Sequence, residues 1–184
     1  MQAAGGILKL HRRSFVLMGV AVSSALLRTG LAWANEIVTW PALMPPGWSP
    51  RTAMDRLGLD SIEDGDPRSA EALRRLRADW DNAPPNLAMD GRRLRIWGYL
   101  VPLEQNVSHI REFLLVPYFG ACIHAPAPPA NQVVHVIPAT PYPKALRGTS
   151  AVWISGTLRI IRAESDLGAA CYRMPAADVE PYKV

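Results

Sequence analysis

From residue 86 onward the sequence consists of short runs rich in β-branched and aromatic residues, each ended by glycine, proline or polar residues. Runs of this length and composition are typical of β-strands. Strands are predicted over residues 92–103, 112–118, 132–137, 151–161 and 170–174. Gly98 and Gly156 lie inside two of these strands, where glycine often marks a bulge or bend. The pattern predicts a small OB-like five-stranded barrel, with an antiparallel β-sandwich as the alternative.

Residues 35–85 precede this barrel domain of residues 86–184 and are predicted to pack on it as an extended Pro/Trp-rich segment and a helix. Trp40 and Trp48 are expected to be buried against the domain, as large aromatic side chains usually are. Asp66 and Pro67 suit a helix cap and first turn. The expected inward side chains of that helix are Leu73, Leu76 and Trp80. Asp90-Gly91 predicts a hairpin turn before the first barrel strand. The fold class is therefore mainly β with an N-terminal helical segment (α+β).

Residues 1–34 have the features of an export signal peptide. A basic start at Arg12-Arg13 is followed by an apolar run that is shorter than the roughly 20 residues needed to span a bilayer. Ala32 and Ala34 form an A-x-A cleavage pattern, so cleavage is predicted near Ala34. The paired arginines before Phe15 also resemble a twin-arginine signal, and that route and the general secretory route both stay open. A periplasmic protein that does not span the membrane after cleavage is expected.

The charge balance argues against nucleic acid as a partner. The chain has 20 Lys and Arg and 16 Asp and Glu, a formal net charge of +4. Four of the basic residues and none of the acidic ones lie in residues 1–34, so the remainder carries equal numbers of each. A neutral domain lacks the basic footprint of a nucleic-acid-binding protein.

The stretch from Glu112 to Val136 concentrates the residues able to perform chemistry. Cys122 and His124 are two positions apart, a spacing that places both side chains on one face of a strand. A thiolate and an imidazole are ligands that suit zinc or copper. His135 follows on the next predicted strand and is a third candidate ligand if the strand register permits. The sequence therefore indicates a metal ion or small ligand at this loop.

Other roles for Cys122 stay open at this point. It could pair with Cys171, since disulfides persist in exported proteins, or it could pack in the core as a small apolar residue. A thiol-dependent enzyme with His124 as base and Asn131 as its orienting group is a third alternative. No cysteine-protease signature is present, so no catalytic residues are assigned.

The loop after His124 is stiffened by three prolines, the last two being Pro128 and Pro129. It ends at Asn131-Gln132, where the asparagine is expected to satisfy backbone groups of the turn. Because a stiff loop loses little conformational entropy on binding, it presents a preorganised edge to a ligand.

These residues carry a resemblance to a known family. The stretch from Glu112 to His124, the proline loop with Asn131-Gln132, and Gly98 to Glu104 are similar to the DUF3299 family of exported bacterial proteins of unknown function. Segments near Trp40, at Ile154–Leu158, and from Glu164 to Tyr182 also resemble it.

The resemblance implies a small exported protein encoded beside ABC-type export systems, with inner-membrane transporter components as partners. It carries over six positions: Gly120, Cys122, His124, Pro128, Asn131 and Gln132. It also implies glycine where this chain has Cys171, which argues against a disulfide common to the family and for a free Cys122. His135 falls where the resemblance implies variation.

The predicted function is that of an exported periplasmic accessory protein. It is expected to be non-enzymatic and to bind a metal ion or small ligand at the Cys122/His124 loop in an envelope transport or assembly system. A protein-interaction module that docks a membrane transporter without metal is the main alternative, and the thiol-dependent enzyme is the other. The oligomeric state is not predicted by the sequence.

Overall fold

The computed structural model describes residues 35–58, 66–104, 108–120, 127–143 and 151–183. Its strands are β1 (Glu36–Ile37), β2 (Arg93–Pro102), β3 (His109–Ile110), β4 (Phe113–Val116), β5 (Val134–Pro138), β6 (Tyr142–Pro143), β7 (Ala151–Thr157), β8 (Arg159–Ser165) and β9 (Gly168–Pro181). The α-helices are α1 (Pro50–Arg56) and α2 (Arg68–Asp81), and 3₁₀ turns occupy Trp40–Leu43, Leu87–Met89 and Ala130–Gln132.

Five strands form a closed barrel. β2 pairs with β4, β4 with β5, β5 with β9, and β9 with β7, and β7 returns to pair with β2. The β5–β9 pairing is parallel and the other four are antiparallel. This confirms the predicted small barrel, and the closure of β7 onto β2 excludes the alternative, an antiparallel β-sandwich. β3 and β6 form a separate two-stranded sheet.

The barrel core follows from alternation along the strands. In β2, Leu94, Ile96 and Leu100 are buried, while Trp97 and Tyr99 lie on the outer face and are partly exposed. Successive side chains of a strand point to opposite faces, so this strand alone supplies both an apolar interior and an aromatic exterior.

The predicted strand over residues 151–161 is interrupted at Leu158, and the chain continues as β8. β8 forms a long hairpin with the first half of β9, and the turn is Asp166-Leu167. A second, smaller apolar cluster lies on the outer face of the barrel. Val101 of β2 and Leu114 of β4 belong to it, and Leu167 of the hairpin packs against it. The hairpin therefore folds back over the outside of β2 and β4.

The segment before the barrel packs on the core, with Trp40 and Leu43 buried in the main apolar cluster. The Trp40 indole N–H donates a hydrogen bond to the Trp97 carbonyl at 2.9 Å. Trp48 is only partly buried, so the expectation of burial is met fully by Trp40 alone. Helix α1 was not predicted from the sequence, although Pro50 stands at its first position and Ser49 caps it.

The predicted helix is present as α2, and the Asp66 carboxylate accepts the Arg68 backbone N–H at 2.8 Å. The prediction of which side chains of α2 face inward was partly wrong, because Leu76 is buried but Leu73 is 52% exposed. Ala72 takes the buried position instead. The prediction of a hairpin at Asp90-Gly91 was also wrong. Leu87–Met89 is a 3₁₀ turn and not a strand, and the Gly91 N–H donates to the carbonyl of Leu158.

None of the helices in the described part of the chain is long and apolar enough to cross a membrane.

Candidate ligand-binding site

The two central residues of the predicted site, Cys122 and His124, lie outside the described residues, in the segment 121–126. The described chain reaches Gly120 on one side of this segment and resumes at Ala127 on the other. Both flanks of the segment are described, and other elements of the fold hold each of them in place.

The first flank is the turn that follows β4. Gly120 is buried and has φ +78°, a backbone conformation that glycine adopts without strain. Phe119, directly before it, is 65% exposed. The chain thus enters the candidate loop through a turn that requires glycine.

The second flank, residues 127–132, is a buried platform. All six residues are buried, although the sequence there is rich in proline and polar amides and predicts a loop. The platform ends in the 3₁₀ turn Ala130–Gln132, whose Gln132 N–H donates to the Pro129 carbonyl at 2.7 Å. Pro128 therefore lies in a fixed and packed segment.

Asn131 and Gln132 bind the segment that precedes the barrel. The Asn131 side-chain amide donates to the Pro84 carbonyl at 2.9 Å, and the Gln132 amide donates to the Trp40 carbonyl at 2.9 Å. The Asn131 side chain was expected to hydrogen-bond backbone groups of its own turn. That expectation was wrong, because its partner Pro84 is 47 residues away in the sequence. The Asn131 Oδ1 atom is buried and has no hydrogen-bond partner among the described residues.

His135 lies on β5 with its side chain on the outer face of the barrel, between the buried Val134 and Val136 of the core. The Arg173 Nε–H donates to its Nδ1 at 3.1 Å, so Nε2 carries the proton that is donated to Glu112 at 2.9 Å. Both ring nitrogens are occupied. To bind a metal ion, His135 must first give up one of these two partners.

Cys171 is a free and buried cysteine. Its buried thiol donates to the Ala83 carbonyl at 3.0 Å. Burial raises the pKa of the Cys171 thiol to about 11. Because the thiolate is the reactive form, this cysteine is expected to be inert at neutral pH.

A row of aromatic rings on the outer face of the barrel ends at the candidate loop. We call it the aromatic strip, and its members are Trp97, Tyr99, Phe119, Trp153 and Tyr182. Neighbouring ring centroids are 5.2–6.1 Å apart. The guanidinium of Arg95 covers one end, 4.8 Å from the centroid of the Trp153 ring. The other end is Phe119, next to Gly120.

Within the described residues, no group of three or more His, Cys, Asp or Glu side chains is arranged to hold a metal ion. A metal site with three or more such ligands would therefore have to include residues outside the described ranges, and Cys122 and His124 are among those residues.

One known protein family matches these same elements of the chain. The model of a family of proteins of unknown function, DUF3299, matches residues 40–181, from the Trp40 turn to the end of β9. The chain belongs to the DUF3299 family. The resemblance noted in the sequence is thereby confirmed, and the match covers the barrel, the platform and the segment that precedes them.

A solved DUF3299 structure supports the assignment. The crystal structure of a DUF3299 family protein from Pseudomonas aeruginosa PAO1 is 34% identical in sequence and superposes with a TM-score of 0.61. The match covers 82% of this chain and 98% of the other. No curated protein was found to match. The family assignment thus establishes the relationship and the fold, and it leaves the activity to be inferred from the site.

Sequence reasoning missed one group in this DUF3299 protein: the hydrogen-bonded set Glu112–His135–Arg173. The sequence signals this set only by a polar residue between two residues that are buried. His135 lies between Val134 and Val136, and Arg173 lies between Tyr172 and Met174. The parallel register of β5 and β9, which places His135 opposite Arg173, is not encoded locally.

Proposed function

We propose that this protein is an exported, non-enzymatic binding protein that holds a metal ion or small ligand at Cys122 and His124. The observation that supports this proposal is that packed structure holds both ends of the segment 121–126. One end is a buried glycine turn at Gly120, and the other is the buried platform of residues 127–132, bonded to Pro84 and Trp40. A loop with fixed ends loses less entropy when it binds a ligand.

The chemistry of the loop favours a soft or borderline metal ion. Cys122 and His124 supply sulfur and nitrogen, the ligands preferred by zinc and copper. The buried Asn131 Oδ1 of the platform is an acceptor without a partner among the described residues, and a donor on a bound ligand would satisfy it. His135 is the third candidate and would have to exchange a protein partner for the metal.

The proposed setting is an envelope transport or assembly system in the periplasm. The support is the signal-peptide pattern of residues 1–34, with cleavage near Ala34. Inner-membrane ABC-type transporter components are the proposed partners, on the basis of the family resemblance described above.

Elemental analysis tests this proposal directly. The protein is purified without chelators from cells that express the full chain, together with the variants Cys122→Ser and Cys171→Ser. We expect near-stoichiometric zinc or copper in the unchanged protein and in Cys171→Ser, because the Cys171 thiol is buried and bonded to Ala83. The metal is expected to be lost from Cys122→Ser. Equal metal content in the two variants, or no metal in any sample even after zinc or copper is added, would contradict the proposal.

A second function is favoured by the aromatic strip. Clusters of tyrosine and tryptophan on a surface are enriched at protein interfaces, where they supply contact area at low entropic cost. Phe119 is 65% exposed and Tyr182 38% exposed, so the two members have rings available to a partner. If no metal binds, we propose that the strip and the adjoining loop dock an envelope protein.

A further inference from the structure

A groove on the outside of the barrel is separate from the aromatic strip. It has a volume of about 400 Å³ and lies between β4, β5 and the β8–β9 hairpin. Sites for small molecules usually have volumes of roughly 300–1,000 Å³. OB barrels bind oligonucleotides and oligosaccharides on the face of their second and third strands and on nearby loops. Here those strands are β4 and β5, and the groove lies on them.

The floor of the groove contains an arginine that makes no direct ion pair among the described residues. Arg173 donates its Nε–H to the Nδ1 atom of His135, which is a neutral acceptor. Among the described residues, Arg173 forms no ion pair with a carboxylate. Since arginine stays protonated under all ordinary conditions, the groove holds a permanent positive charge that a ligand could neutralise.

The other arginine of the groove is in a different situation. The Arg162 Nε–H donates to Glu164 at 3.0 Å, and its Nη1 group donates to the Asp81 carbonyl at 2.7 Å. Its charge is already paired within the protein. Arg173 is therefore the cation that distinguishes this groove.

Glu112 provides an opposite charge at the far side of His135. One of its carboxylate oxygens accepts the imidazole Nε2–H at 2.9 Å, and its side chain is 47% exposed. The wall of the groove thus presents a carboxylate and a guanidinium on either side of one neutral histidine ring. Among the residues that the structure describes, the second Glu112 carboxylate oxygen and the Arg173 Nη groups have no hydrogen-bond partner and can contact a ligand.

We propose that this groove binds a small molecule that carries both a carboxylate and an amine, as an amino acid or a short peptide does. The planar fork of Arg173 binds the carboxylate, since two parallel N–H groups match two carboxylate oxygens. Glu112 accepts the ammonium or N–H groups of the same ligand. Leu103 and Leu114 line the apolar part of the groove. The carboxylates of Glu112 and Glu164 disfavour a doubly charged phosphate in the same place.

Amide NMR titrations test the proposal with four probes at constant ionic strength and neutral pH: glycine, glycylglycine, acetate and inorganic phosphate. The protein is purified from cells that express the full chain. Glycine or glycylglycine is expected to give saturable shifts at amides of β5, β8 and the first half of β9. Acetate is expected to bind more weakly, because it cannot use Glu112, and phosphate is expected to show no saturation. The contrast between glycine and glycylglycine separates a free amino acid from a peptide.

Three variants assign the contacts. Arg173→Met should weaken binding by about tenfold or more, the usual effect of losing a charged hydrogen bond. Arg173→Lys should recover part of the lost affinity. Glu112→Gln should weaken the binding of glycylglycine and leave the binding of acetate unchanged. The matched control is Arg75→Met on the exposed surface of α2, where Arg75 pairs with Glu71, and it should bind as the unchanged protein does.

The proposal is overturned if no amine-carboxylate probe saturates, if phosphate binds best, or if Arg173→Met binds as tightly as the unchanged protein. Amide shifts of β7, none of whose residues lines the groove, report whether each variant is folded. Cys122→Ser should bind the probes normally. Loss of metal binding in Cys122→Ser tests the loop site, and loss of probe binding in Arg173→Met tests the groove. The failure of one proposal can therefore be told apart from the failure of the other.

Discussion

Replacing Gly98 with alanine is expected to destabilise the folded protein by about 3 kcal/mol, at the upper end for overpacking in a core. A Cβ atom at this position would lie 2.7 Å from the Val116 carbonyl oxygen, 2.8 Å from the Trp40 ring and 2.9 Å from Leu115 Cγ. The nearest of these atoms belongs to the backbone of the paired strand β4, so it cannot move without disturbing the ladder. Chemical denaturation of the purified variant measures the loss.

Gly156→Ala is the matched control, since Gly156 is also inside a barrel strand. Its added Cβ would meet mainly Met174 Cγ and Sδ, both at 3.0 Å. Methionine is flexible and can move aside, so a much smaller loss is expected. If the two variants lost equal stability, the close approach of Trp40 and β4 to Gly98 would not be the reason for the glycine.

Tyr172→Phe is expected to cost about 2 kcal/mol of folding free energy, because a buried hydroxyl with two partners is removed. The Tyr172 hydroxyl donates to the Leu43 carbonyl at 2.6 Å and accepts the Asn86 N–H at 2.6 Å. Among the described residues, the variant leaves those two backbone groups with their mutual 3.3 Å contact alone. Burial also raises the pKa of Tyr172 to about 12, which fits a phenol held in its neutral form.

Tyr142→Phe provides the comparison. Tyr142 is mostly buried at 9% exposure, but it lines a surface pocket, and no hydrogen bond of its hydroxyl is found among the described residues, whereas Tyr172 is fully buried. Denaturation of both variants should therefore show a large loss for Tyr172→Phe and a change near zero for Tyr142→Phe. The opposite order would mean that the Tyr172 hydroxyl does not hold the N-terminal segment to the barrel.

The barrel was predictable because its strands repeat one local pattern. Alternation in β2, and the turn and proline residues between runs, define strands without knowledge of their partners. The continuation of strand β9 beyond Met174 was missed, because Pro175 normally ends a strand and Ala176 adopts φ 48° there. The irregularity lies where the β5–β9 register shifts, so tertiary pairing overrides the local signal.

The platform illustrates what sequence cannot supply. Pro128, Asn131 and Gln132 were predicted to be loop residues, because proline and amide side chains favour turns. In the structure they are buried, since Pro84 and Trp40 provide carbonyl partners from distant parts of the chain. A buried amide is stable only when such partners exist, and their position depends on the complete fold.

The role of His135 shows the same limit. Its residue type suggested a metal ligand, but the register of β4, β5 and β9 places it between Glu112 and Arg173. The pairing of β5 with β9 joins residues 38 positions apart and is parallel. No local pattern predicts that pairing, so the groove and the position of Arg173 within it could not be found from the sequence.

The accessibility of the Cys122 thiol is the most direct test of the proposed site. Folded protein is treated with iodoacetamide at about pH 8, with and without zinc, and modification is followed by peptide mass spectrometry. Reactivity requires an exposed thiol with some thiolate character. Cys171 is the internal control, because its thiol is buried and its pKa is raised to about 11.

We expect Cys122 to be modified while Cys171 is not, and zinc to protect Cys122. Reaction much faster than that of a free thiol would instead indicate an activated nucleophile and the enzymatic alternative. If Cys122 reacts only after denaturation, as Cys171 is expected to, it is a packed core residue, and the proposal of a binding site at the Cys122/His124 loop is contradicted.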